Sequence, residues 1–280
     1  MTIIMDKTPL ISVITINFNE RVGLERTFES VFNQTFQDFE YIVIDGGSND
    51  GSKELIEENT EKISYWISEP DKGIYNAMNK GISAAKGDYL LFLNSGDILY
   101  KNDVLKSCET YLCNEDIISG NLSFVENERN WLGKTPETLS FYRFFTDTLY
   151  HPCSFIKKTA FDTFGGYDEE YKICSDWKWF LLAICKKKAT YKHIEITISA
   201  FFVDGISSQN TDLVKKERDE ILLKEFPSFI QDYAVFSEFK KKQFAVKDLE
   251  NKYNQLLKSR LIKFFKIFGF FKNFNPLYLK

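Results

Sequence analysis

The chain of 280 residues has few of the side chains that hold structural metals. It contains two histidines, His151 and His193, and five cysteines that form no Cys-x-x-Cys pair. Structural zinc sites take four such ligands at short spacings, so a structural zinc site is not expected. Because the number of cysteines is odd and no secretory signal precedes them, we expect a reduced, cytoplasmic compartment.

Several nucleotide-binding and catalytic motifs are also missing. There is no Gly-x-Gly-x-x-Gly fingerprint and no Gly-x-x-x-x-Gly-Lys-[Ser/Thr] loop, which argues against NAD enzymes and P-loop NTPases. No Gly-x-Ser-x-Gly motif is present to supply a serine nucleophile. No run of 18 apolar residues occurs, so no transmembrane helix is expected.

Negative charge dominates most of the chain, and positive charge is concentrated at its end. Residues 240–280 carry 11 Lys and Arg against 2 Asp and Glu, whereas the other 239 residues carry 25 against 38. The acidic body argues against nucleic acid as a partner. We therefore expect a domain over residues 1–232 and a basic, Phe-rich tail over residues 233–280.

The tail alternates Leu, Ile and Phe with Lys and Arg, most clearly over residues 256–268. This pattern predicts a basic amphipathic helix. Such a helix suits peripheral contact of residues 240–280 with an anionic membrane, where each basic residue contributes about 1 kcal/mol. The alternatives are packing on the domain and packing on a second subunit in a homodimer.

What the first hundred residues do contain is a regular alternation of buried strands and amphipathic helices. Strands are predicted at residues 10–16, 39–44, 65–68 and 89–93, and helices at residues 21–33, 52–58 and 74–85. This alternation predicts an α/β fold with a mostly parallel central sheet, flanking helices and right-handed crossovers. The second half is less regular, with strands expected at residues 117–119, 151–157 and 192–202 and helices at residues 138–145, 175–186 and 212–224.

Polar residues follow three of these strands at the point where each strand ends. Asn17 follows the first strand, Asp45 follows the second, and Asp97 closes Leu-Asn-Ser-Gly-Asp after the fourth. Ligands of such sheets bind beyond the carboxyl ends of the strands, so we expect these residues to converge on one site. A carboxylate there can hold Mg²⁺ or Mn²⁺ on a diphosphate, or accept a hydrogen bond from a base. Each aspartate also fits a plain turn or a helix N-cap.

Other chemistry-bearing residues lie outside those strand ends. Asp71 and Lys72 follow the third strand and suit a ribose, sugar or phosphate, or a plain surface turn. Asp176 opens a predicted helix beside Trp177, and a carboxylate near a flat apolar ring suits sugar binding and general-base work. The alternative is an N-cap aspartate with a core tryptophan. His151 fits either an acceptor contact or a buried core histidine.

Four segments in this order resemble the family 2 glycosyltransferases of the GT-A fold, and more narrowly the bacterial enzymes that build exopolysaccharide, capsule or O-antigen units. The resemblance covers about residues 9–205, and its central run from Ser68 to Asp97 is highly specific. The segments read VITINFNE, VIDGGSNDGS, SEPDKGIYNAMNKGISAAKGDYLLFLNSGD and HPCSFIKKTAFDTFGGYDEEYKICSDWKWFL.

The resemblance implies a role for each matching position. Asp45 would bind the nucleotide base, normally uracil, and Asp97 would bind a divalent cation, Mg²⁺ or Mn²⁺, as the last residue of a DXD-like motif. Asp176 would be the catalytic base of an inverting transfer from a nucleotide-sugar donor, most simply a UDP-sugar, to a glycan or a lipid-linked sugar. The other implied donor-site residues are Thr15, Asn17, Asp71, Lys72 and Ser95, and the implied acceptor or sugar contacts are His151 and Trp177.

This sequence departs from the family pattern at two positions. The DXD-like motif reads Asn94-Ser95-Gly96-Asp97, so only its final carboxylate is present. Asn76 stands where relatives often have aspartate in Tyr-Asp-Ala-Met-Asn-Lys-Gly. The first departure weakens the expected metal site, and the second removes a charge from the helix after residue 73.

Two other functions are alternatives to a transferase. A sugar-1-phosphate nucleotidyltransferase would need a Gly-rich, basic triphosphate loop near the N-terminus, and Ile-Thr-Ile-Asn-Phe-Asn-Glu-Arg-Val-Gly has none. A non-catalytic sugar-nucleotide binder or scaffold would predict the loss of Asp97 or Asp176, and both are present.

Overall fold

The structure is a computed structural model that describes residues 8–126, 129–202 and 210–258. Nine strands form one sheet in the order β3-β2-β1-β4-β8-β6-β9-β5, and β7 pairs with β6. The strands are β1 (Ile11–Asn17), β2 (Phe39–Asp45), β3 (Tyr65–Ser68), β4 (Tyr89–Phe92), β5 (Ile98–Leu99), β6 (Ile117–Glu126), β7 (Arg129–Gly133), β8 (Ser154–Lys157) and β9 (Tyr191–Phe202).

Helices lie between the strands and after the last one. They are α1 (Arg21–Phe32), α2 (Ser52–Glu57), α3 (Ile74–Ala84), α4 (Val104–Cys108), α5 (Phe141–Thr146), α6 (Lys158–Phe164), α7 (Ser175–Cys185), α8 (Thr211–Glu225) and α9 (Pro227–Lys258). Short 3₁₀ turns occur at Thr60–Lys62, Glu109–Tyr111 and His151–Cys153. The predicted α/β fold with flanking helices and a C-terminal helical extension is therefore confirmed.

The first half of the sheet is parallel, as the alternation of strands and helices predicts. β1 pairs in parallel with both β2 and β4, and β2 pairs in parallel with β3. All seven residues of β1 and all four of β4 are buried, because helices cover both faces of a parallel sheet. The carboxyl ends of these four strands therefore meet along one edge.

The second half of the sheet is mixed rather than parallel. β8 runs antiparallel to both β4 and β6, β5 runs antiparallel to β9, and β6 with β9 is the parallel pair of this half. The strand predicted at residues 151–157 begins later, because His151–Cys153 forms a 3₁₀ turn with Pro152 inside it. Proline has no N–H for a ladder hydrogen bond, so β8 begins at Ser154.

Two helices hold the strand edge in place by packing on opposite faces of β1 and β2. On α1, Leu24, Phe28 and Val31 are buried, and the ring of Phe28 meets Tyr41 of β2 edge to face at 5.8 Å. On α3, a Cβ added at Gly81 would lie 2.6 Å from Ile14 of β1, so only glycine allows this close approach. Tight packing on both faces fixes the strand ends, where the predicted site residues lie.

The described residues divide into two compact units between Ile221 and Leu222. The second unit contains α9, a helix of 32 residues. Most of the Lys- and Phe-rich stripe of the predicted tail falls in residues 259–280, which lie outside the described residues. Within the part that the structure describes, no helix is both long enough and apolar enough to cross a bilayer.

Candidate active site

A chain of hydrogen bonds crosses the ends of the four parallel strands in the order of the sheet. Ser68 at the end of β3 donates to Asp45 Oδ2 at the end of β2, at 2.6 Å. Asn17 Nδ2 at the end of β1 donates to Asp45 Oδ1 at 2.8 Å. Ser95, which follows β4, donates to Asn17 Oδ1 at 2.8 Å. The structure thus brings together Asn17 and Asp45, two of the three strand-end residues expected to converge, with Ser95 beside them.

Asp45 lies at the centre of this chain of hydrogen bonds. Its side chain is fully buried and also accepts from the Ser48 hydroxyl at 2.5 Å and from the Ser48 backbone N–H at 3.0 Å. Burial by itself would raise the pKa of this carboxyl, but the hydrogen bonds from Ser48, Ser68 and Asn17 together lower the pKa below its usual value. Asp45 is therefore an anion that ties three strand ends together.

Thr15 lies one layer below this edge. It is fully buried, its hydroxyl donates to the carbonyl of Leu93 at 2.7 Å, and the Tyr41 hydroxyl donates to it at 2.9 Å. The expectation that Thr15 lines the nucleotide pocket is corrected on this point, because the side chain supports the edge from beneath. The two hydrogen bonds join β1 to β2 and to the end of β4.

The loop after β3 brings Asp71 to the same edge. Asp71 Oδ2 is one of the atoms nearest to Gly46, at 3.1 Å from the position that a Cβ there would take. Lys80 of α3 holds this loop, with Nζ at 2.5 Å from Asp71 and 2.7 Å from Glu69. Burial opposes the charge on Lys80, but the two carboxylates outweigh it and raise its pKa. Lys72, in contrast, is exposed on the surface of the loop.

Sequence reasoning missed Lys80. The signal for it is the Asn-Lys-Gly triplet that the resemblance includes, in which the lysine has the spacing on α3 to return to the loop at Glu69–Asp71. Since Asp71 is only 10% exposed, Lys80 fixes its orientation. The ion pair therefore organises the part of the edge where the resemblance places the nucleoside.

The turn after β4 carries the predicted cation ligand, and α1 packs tightly against it. Thr27 Oγ1 of α1 accepts from Gly96 N at 3.0 Å and donates to the carbonyl of Asp97 at 2.7 Å. A Cβ added at Gly23 would lie 2.9 Å from Gly96 N, so the helix and the turn are in close contact. Asp97 itself is 6% exposed.

The oxygen atoms in this turn suit a hard divalent cation. The turn contains the Asp97 carboxylate and the side-chain oxygen of Asn94, which is buried and has no hydrogen-bond partner within the described part of the chain. Mg²⁺ and Mn²⁺ prefer oxygen ligands, and Mg²⁺ often takes one or two carboxylates together with phosphate oxygens and water. No group of three or more His, Cys, Asp or Glu that could hold a metal forms among residues 8–126, 129–202 and 210–258. A cation at this turn would need further oxygen ligands, such as those of a diphosphate or water.

A cation that sequence reasoning missed lies beside this turn. The Arg26 guanidinium of α1 stacks on the Phe202 ring at 3.9 Å, and one of its nitrogens lies 3.5 Å from the position of a Cβ on Gly96. Its Nε is buried and has no hydrogen-bond partner among the described residues. Only the fold reveals this position, because Arg26 and Gly96 are far apart in sequence.

Asp176 lies in the first turn of α7 and is partly buried. The hydroxyl of Tyr75 lies 2.8 Å from Asp176 Oδ1 and 2.5 Å from the carbonyl of Ile173. Burial, and next the negative charge of Asp176, raise the pKa of Tyr75 well above its usual value, so the phenol keeps its proton and donates. Tyr75 is a second residue that sequence reasoning missed, although it lies in the same central segment as Asp71.

His151 lies in a buried layer of aromatic rings. It is 6% exposed, its ring stacks on Phe92 at 4.8 Å, and its Nε2 lies 2.7 Å from the Tyr167 hydroxyl. Burial lowers the pKa of His151, while the Asp176 carboxylate acts in the opposite direction. The lowered pKa favours the neutral imidazole, and the core reading of His151 fits its burial among aromatic rings.

The family model described as "Glycosyl transferase family 2" matches residues 12–171. The chain belongs to glycosyltransferase family 2. An uncharacterized glycosyltransferase of Mycobacterium tuberculosis is 36% identical over 211 residues, which is 73% of this chain and 79% of the relative. A PGL/p-HBAD biosynthesis glycosyltransferase of Mycobacterium bovis is 25% identical over 200 residues, which is 69% of this chain and 77% of the relative.

Solved structures of other proteins share the fold of this family 2 glycosyltransferase. Staphylococcus aureus TarS 1–349 in complex with UDP-GlcNAc has a TM-score of 0.56 and 18% identity, over 69% of this chain and 58% of that one. The mannosyltransferase PcManGT of Pyrobaculum calidifontis, in complex with GDP-Man and Mn²⁺, has a TM-score of 0.55 and 15% identity, over 74% of this chain and 60% of that one. The glycosyltransferase thus spans about three fifths of the length of these two chains.

One residue predicted for the glycosyltransferase site lies elsewhere. Trp177 is 2% exposed, and its indole N–H lies 3.1 Å from both the carbonyl of Phe144 and the carbonyl of Asp147. The guanidinium of Arg218 covers its ring at 5.0 Å. The expectation that Trp177 offers a free face to a sugar is therefore wrong, because both its N–H and its ring are used in packing.

Proposed function

We propose that this glycosyltransferase moves a hexosyl-type sugar from a nucleotide-sugar donor, most simply a UDP-sugar, to a hydroxyl of a glycan or a lipid-linked sugar. The observation that carries the proposal is the buried network at the strand edge, in which the anionic Asp45 connects β1, β2 and β3. The resemblance assigns nucleotide binding to this edge. The donors seen with TarS and PcManGT, UDP-GlcNAc and GDP-Man, support a nucleotide sugar for this chain as well.

The donor would lie across the edge in the order of the sheet. The base would approach Asp45 and Asn17, and the nucleoside would follow the loop that carries Asp71. A ligand atom that binds Asp45 must compete with Ser48, whose hydroxyl is an existing partner on the loop side. Lys72 is exposed on this loop and would contact phosphate.

The diphosphate would reach the turn at residues 94–97. There Asp97, with the side-chain oxygen of Asn94, would hold Mg²⁺ or Mn²⁺, which supplies neutralisation of the negative charge that develops on the leaving diphosphate. The guanidinium of Arg26 adds positive charge on the α1 side of the same turn. This charge compensates in part for the missing first carboxylate of the DXD-like motif, because a cation acts directly on phosphate oxygens.

Asp176 would act as the general base. Its carboxylate takes the proton from the acceptor hydroxyl while that oxygen bonds to the anomeric carbon, and the bond from this carbon to the diphosphate oxygen breaks. The products are the glycoside and the nucleoside diphosphate. A single in-line displacement inverts the configuration, so an α-linked donor gives a β-glycoside. Tyr75 holds Oδ1 of Asp176, which leaves Oδ2 for the acceptor.

We further propose that the product enters cell-surface polysaccharide, such as exopolysaccharide, capsule or O-antigen, on the cytoplasmic side of the membrane. The PGL/p-HBAD biosynthesis relative supports a role in cell-surface glycoconjugates. The basic tail at residues 240–280 would contact anionic lipid peripherally. Within the described part of residues 240–280, α9 exposes three large apolar side chains, which are Phe244 (69%), Val246 (55%) and Leu249 (65%).

Donor turnover tests the proposed function. Purified protein is incubated with UDP-glucose, UDP-N-acetylglucosamine, GDP-mannose or dTDP-rhamnose and Mn²⁺, and release of the nucleoside diphosphate is measured with and without a lipid-diphosphate-linked sugar. Release from one donor, lost in Asp176→Asn, supports the proposal. A folded protein that releases no nucleoside diphosphate from any donor contradicts it.

A further inference from the structure

A buried carboxylate outside the proposed donor site accepts hydrogen bonds from the segment that leads into α7. Glu217 of α8 is 7% exposed, and Oε1 accepts from the backbone N–H of Lys172 at 2.8 Å. Its Oε2 accepts from the backbone N–H groups of Ile173 and Cys174, both at 3.0 Å. One side chain therefore satisfies three successive backbone donors, and hydrogen bonds to an ionised acceptor are about twice as strong as neutral ones.

The segment bound by Glu217 ends two residues before the proposed base, Asp176. Cys174 is the N-cap position of α7, and Asp176 is the second residue of that helix. The Cys174 side chain does not cap the first turn of α7, and Glu217 instead holds the backbone just before the helix. A shift of Ile173 or Cys174 moves the first turn of α7 and the Asp176 carboxylate with it.

Other contacts show that α8 as a unit holds the start of α7. The Cys174 thiol donates to the carbonyl of Val214, one turn before Glu217, at 3.6 Å. Arg218, next to Glu217, covers the ring of Trp177. The hydroxyl of Tyr75 on α3 lies 2.5 Å from the carbonyl of Ile173 and 2.8 Å from Asp176 Oδ1, so its one proton is shared between the two acceptors. Residues 173–177 are thus held between α3 and α8.

We infer that Glu217 is a positioning residue that sets the orientation of Asp176 for proton transfer. The inference rests on the proposed function, because it requires Asp176 to be the base. Glu217 acts through the backbone of residues 172–174 and touches neither donor nor acceptor. Its removal should therefore slow the chemical step and leave nucleotide binding at the strand edge unchanged.

The test compares Glu217→Gln and Glu217→Asp with Glu220→Gln, which alters an exposed carboxylate on the same helix. Gln keeps one carbonyl acceptor but turns an amide NH₂ toward backbone donors, and Asp keeps the charge on a shorter side chain. The donor is whichever of the four nucleotide sugars in the donor-turnover test the wild type uses. For each variant we measure kcat and KM with this donor, and the affinity for the corresponding nucleoside diphosphate. A misplacement of about 1 Å can cost 100-fold, so we expect kcat to fall about 10- to 100-fold in Glu217→Gln and less in Glu217→Asp. KM and nucleotide affinity should stay within about twofold of Glu220→Gln.

A second measurement separates positioning from a general structural role. In an Asp176→Asn background, Glu217→Gln should cause no further loss of turnover, since the base it positions is already gone. Three results would overturn the inference. The folded Glu217 variants could keep the kcat of Glu220→Gln, or their nucleotide affinity could fall as much as kcat. The third is that Glu217→Gln lowers kcat further in the Asp176→Asn background. If Glu217→Gln does not fold, the same measurements are made on Glu217→Asp. Failure of the proposed function looks different, since Asp176→Asn would then turn over donor like the wild type.

Discussion

The hydroxyl of Tyr75 lies 2.8 Å from the carboxylate of Asp176, although the two residues are 101 positions apart in sequence. Tyr75 belongs to the first turns of α3, directly after the loop that carries Asp71 and Lys72. Asp176 belongs to the first turn of α7 on the other half of the sheet. This one hydrogen bond connects the segment proposed to bind the donor with the proposed base.

Replacing Tyr75 by Phe should slow transfer more than it destabilises the fold. The change removes one hydroxyl, which costs about 1 kcal/mol of folding free energy. It also frees the Asp176 carboxylate to rotate, so we expect kcat to fall about tenfold, within the range of a perturbed general base. Steady-state kinetics with the active donor and urea unfolding check both numbers. Unchanged kcat would show that Asp176 does not depend on this hydrogen bond.

Replacing Asp176 by Asn should reduce turnover to a low residual rate while nucleotide binding persists. The amide cannot take a proton, and loss of a general base lowers kcat by about 100- to 10,000-fold. Asp162→Asn, an exposed change on α6, is the matched control and should behave as wild type. The readouts are release of nucleoside diphosphate and calorimetric affinity for UDP. Turnover of Asp176→Asn near the wild-type value would remove this residue as the base.

Replacing Asp97 by Ala should remove the dependence of turnover on divalent cation. The variant loses the one carboxylate of the turn, so added Mn²⁺ should no longer raise the rate, and activity should match that of wild type in EDTA. Asp103→Ala, an exposed change shortly after the turn, should keep the full response to Mn²⁺. An Asp97→Ala enzyme with the wild-type response would place the cation elsewhere.

Asp45 should stabilise the fold in a pH-dependent way. Its folded pKa is lowered from an ordinary value of 3.8, so its stabilisation is fully present above that value and is lost as pH falls through the folded pKa. Asp45→Asn should therefore reduce the free energy of unfolding by about 2–3 kcal/mol at pH 7, the scale of hydrogen bonds to a charged group. The difference from wild type should shrink near pH 3. Urea unfolding at both pH values measures it, and an equal difference at the two would contradict the lowered pKa.

Deleting residues 240–280 should abolish binding to vesicles that contain anionic phosphatidylglycerol. The segment carries 11 Lys and Arg against 2 Asp and Glu, and each basic residue near the surface contributes about 1 kcal/mol. Vesicle co-sedimentation measures binding, with neutral phosphatidylcholine vesicles as the control. Unchanged binding of the shortened protein would assign membrane contact to another surface, and a loss of oligomer on deletion would favour the homodimer.

Much of the fold could be predicted because local patterns match the final packing in the first hundred residues. Ile11–Asn17 is buried throughout and rich in β-branched residues, and it leads into α1, a helix with one buried apolar face. The predicted helices at residues 21–33 and 74–85 end within one residue of the observed bounds. In the second half, pairing between β6, β8 and β9 joins distant segments, and no local pattern specifies the direction of such pairs.

The sequence allows prediction of which residues lie at the strand ends, but not of the side chains that contact the site from other elements. Asn17, Asp45 and Asp97 follow strands directly, so their place at the edge follows from topology. Lys80, Tyr75 and Glu217 act through contacts that join α3 and α8 to other elements, and sequence spacing does not reveal them. Trp177 failed as a prediction because an aromatic beside a carboxylate has the same sequence pattern in a core as on a surface.

The most direct test of the central claim is calorimetric titration of UDP, GDP and dTDP into the purified protein, with Mn²⁺ and with EDTA. The claim is that the edge built on Asn17, Asp45 and Asp71 binds a nucleoside diphosphate whose phosphates share a cation with Asp97. We predict that one of the three nucleotides binds, and that EDTA weakens its affinity by at least about tenfold, or about 1.4 kcal/mol. A folded protein that binds none of them in either condition would contradict the account.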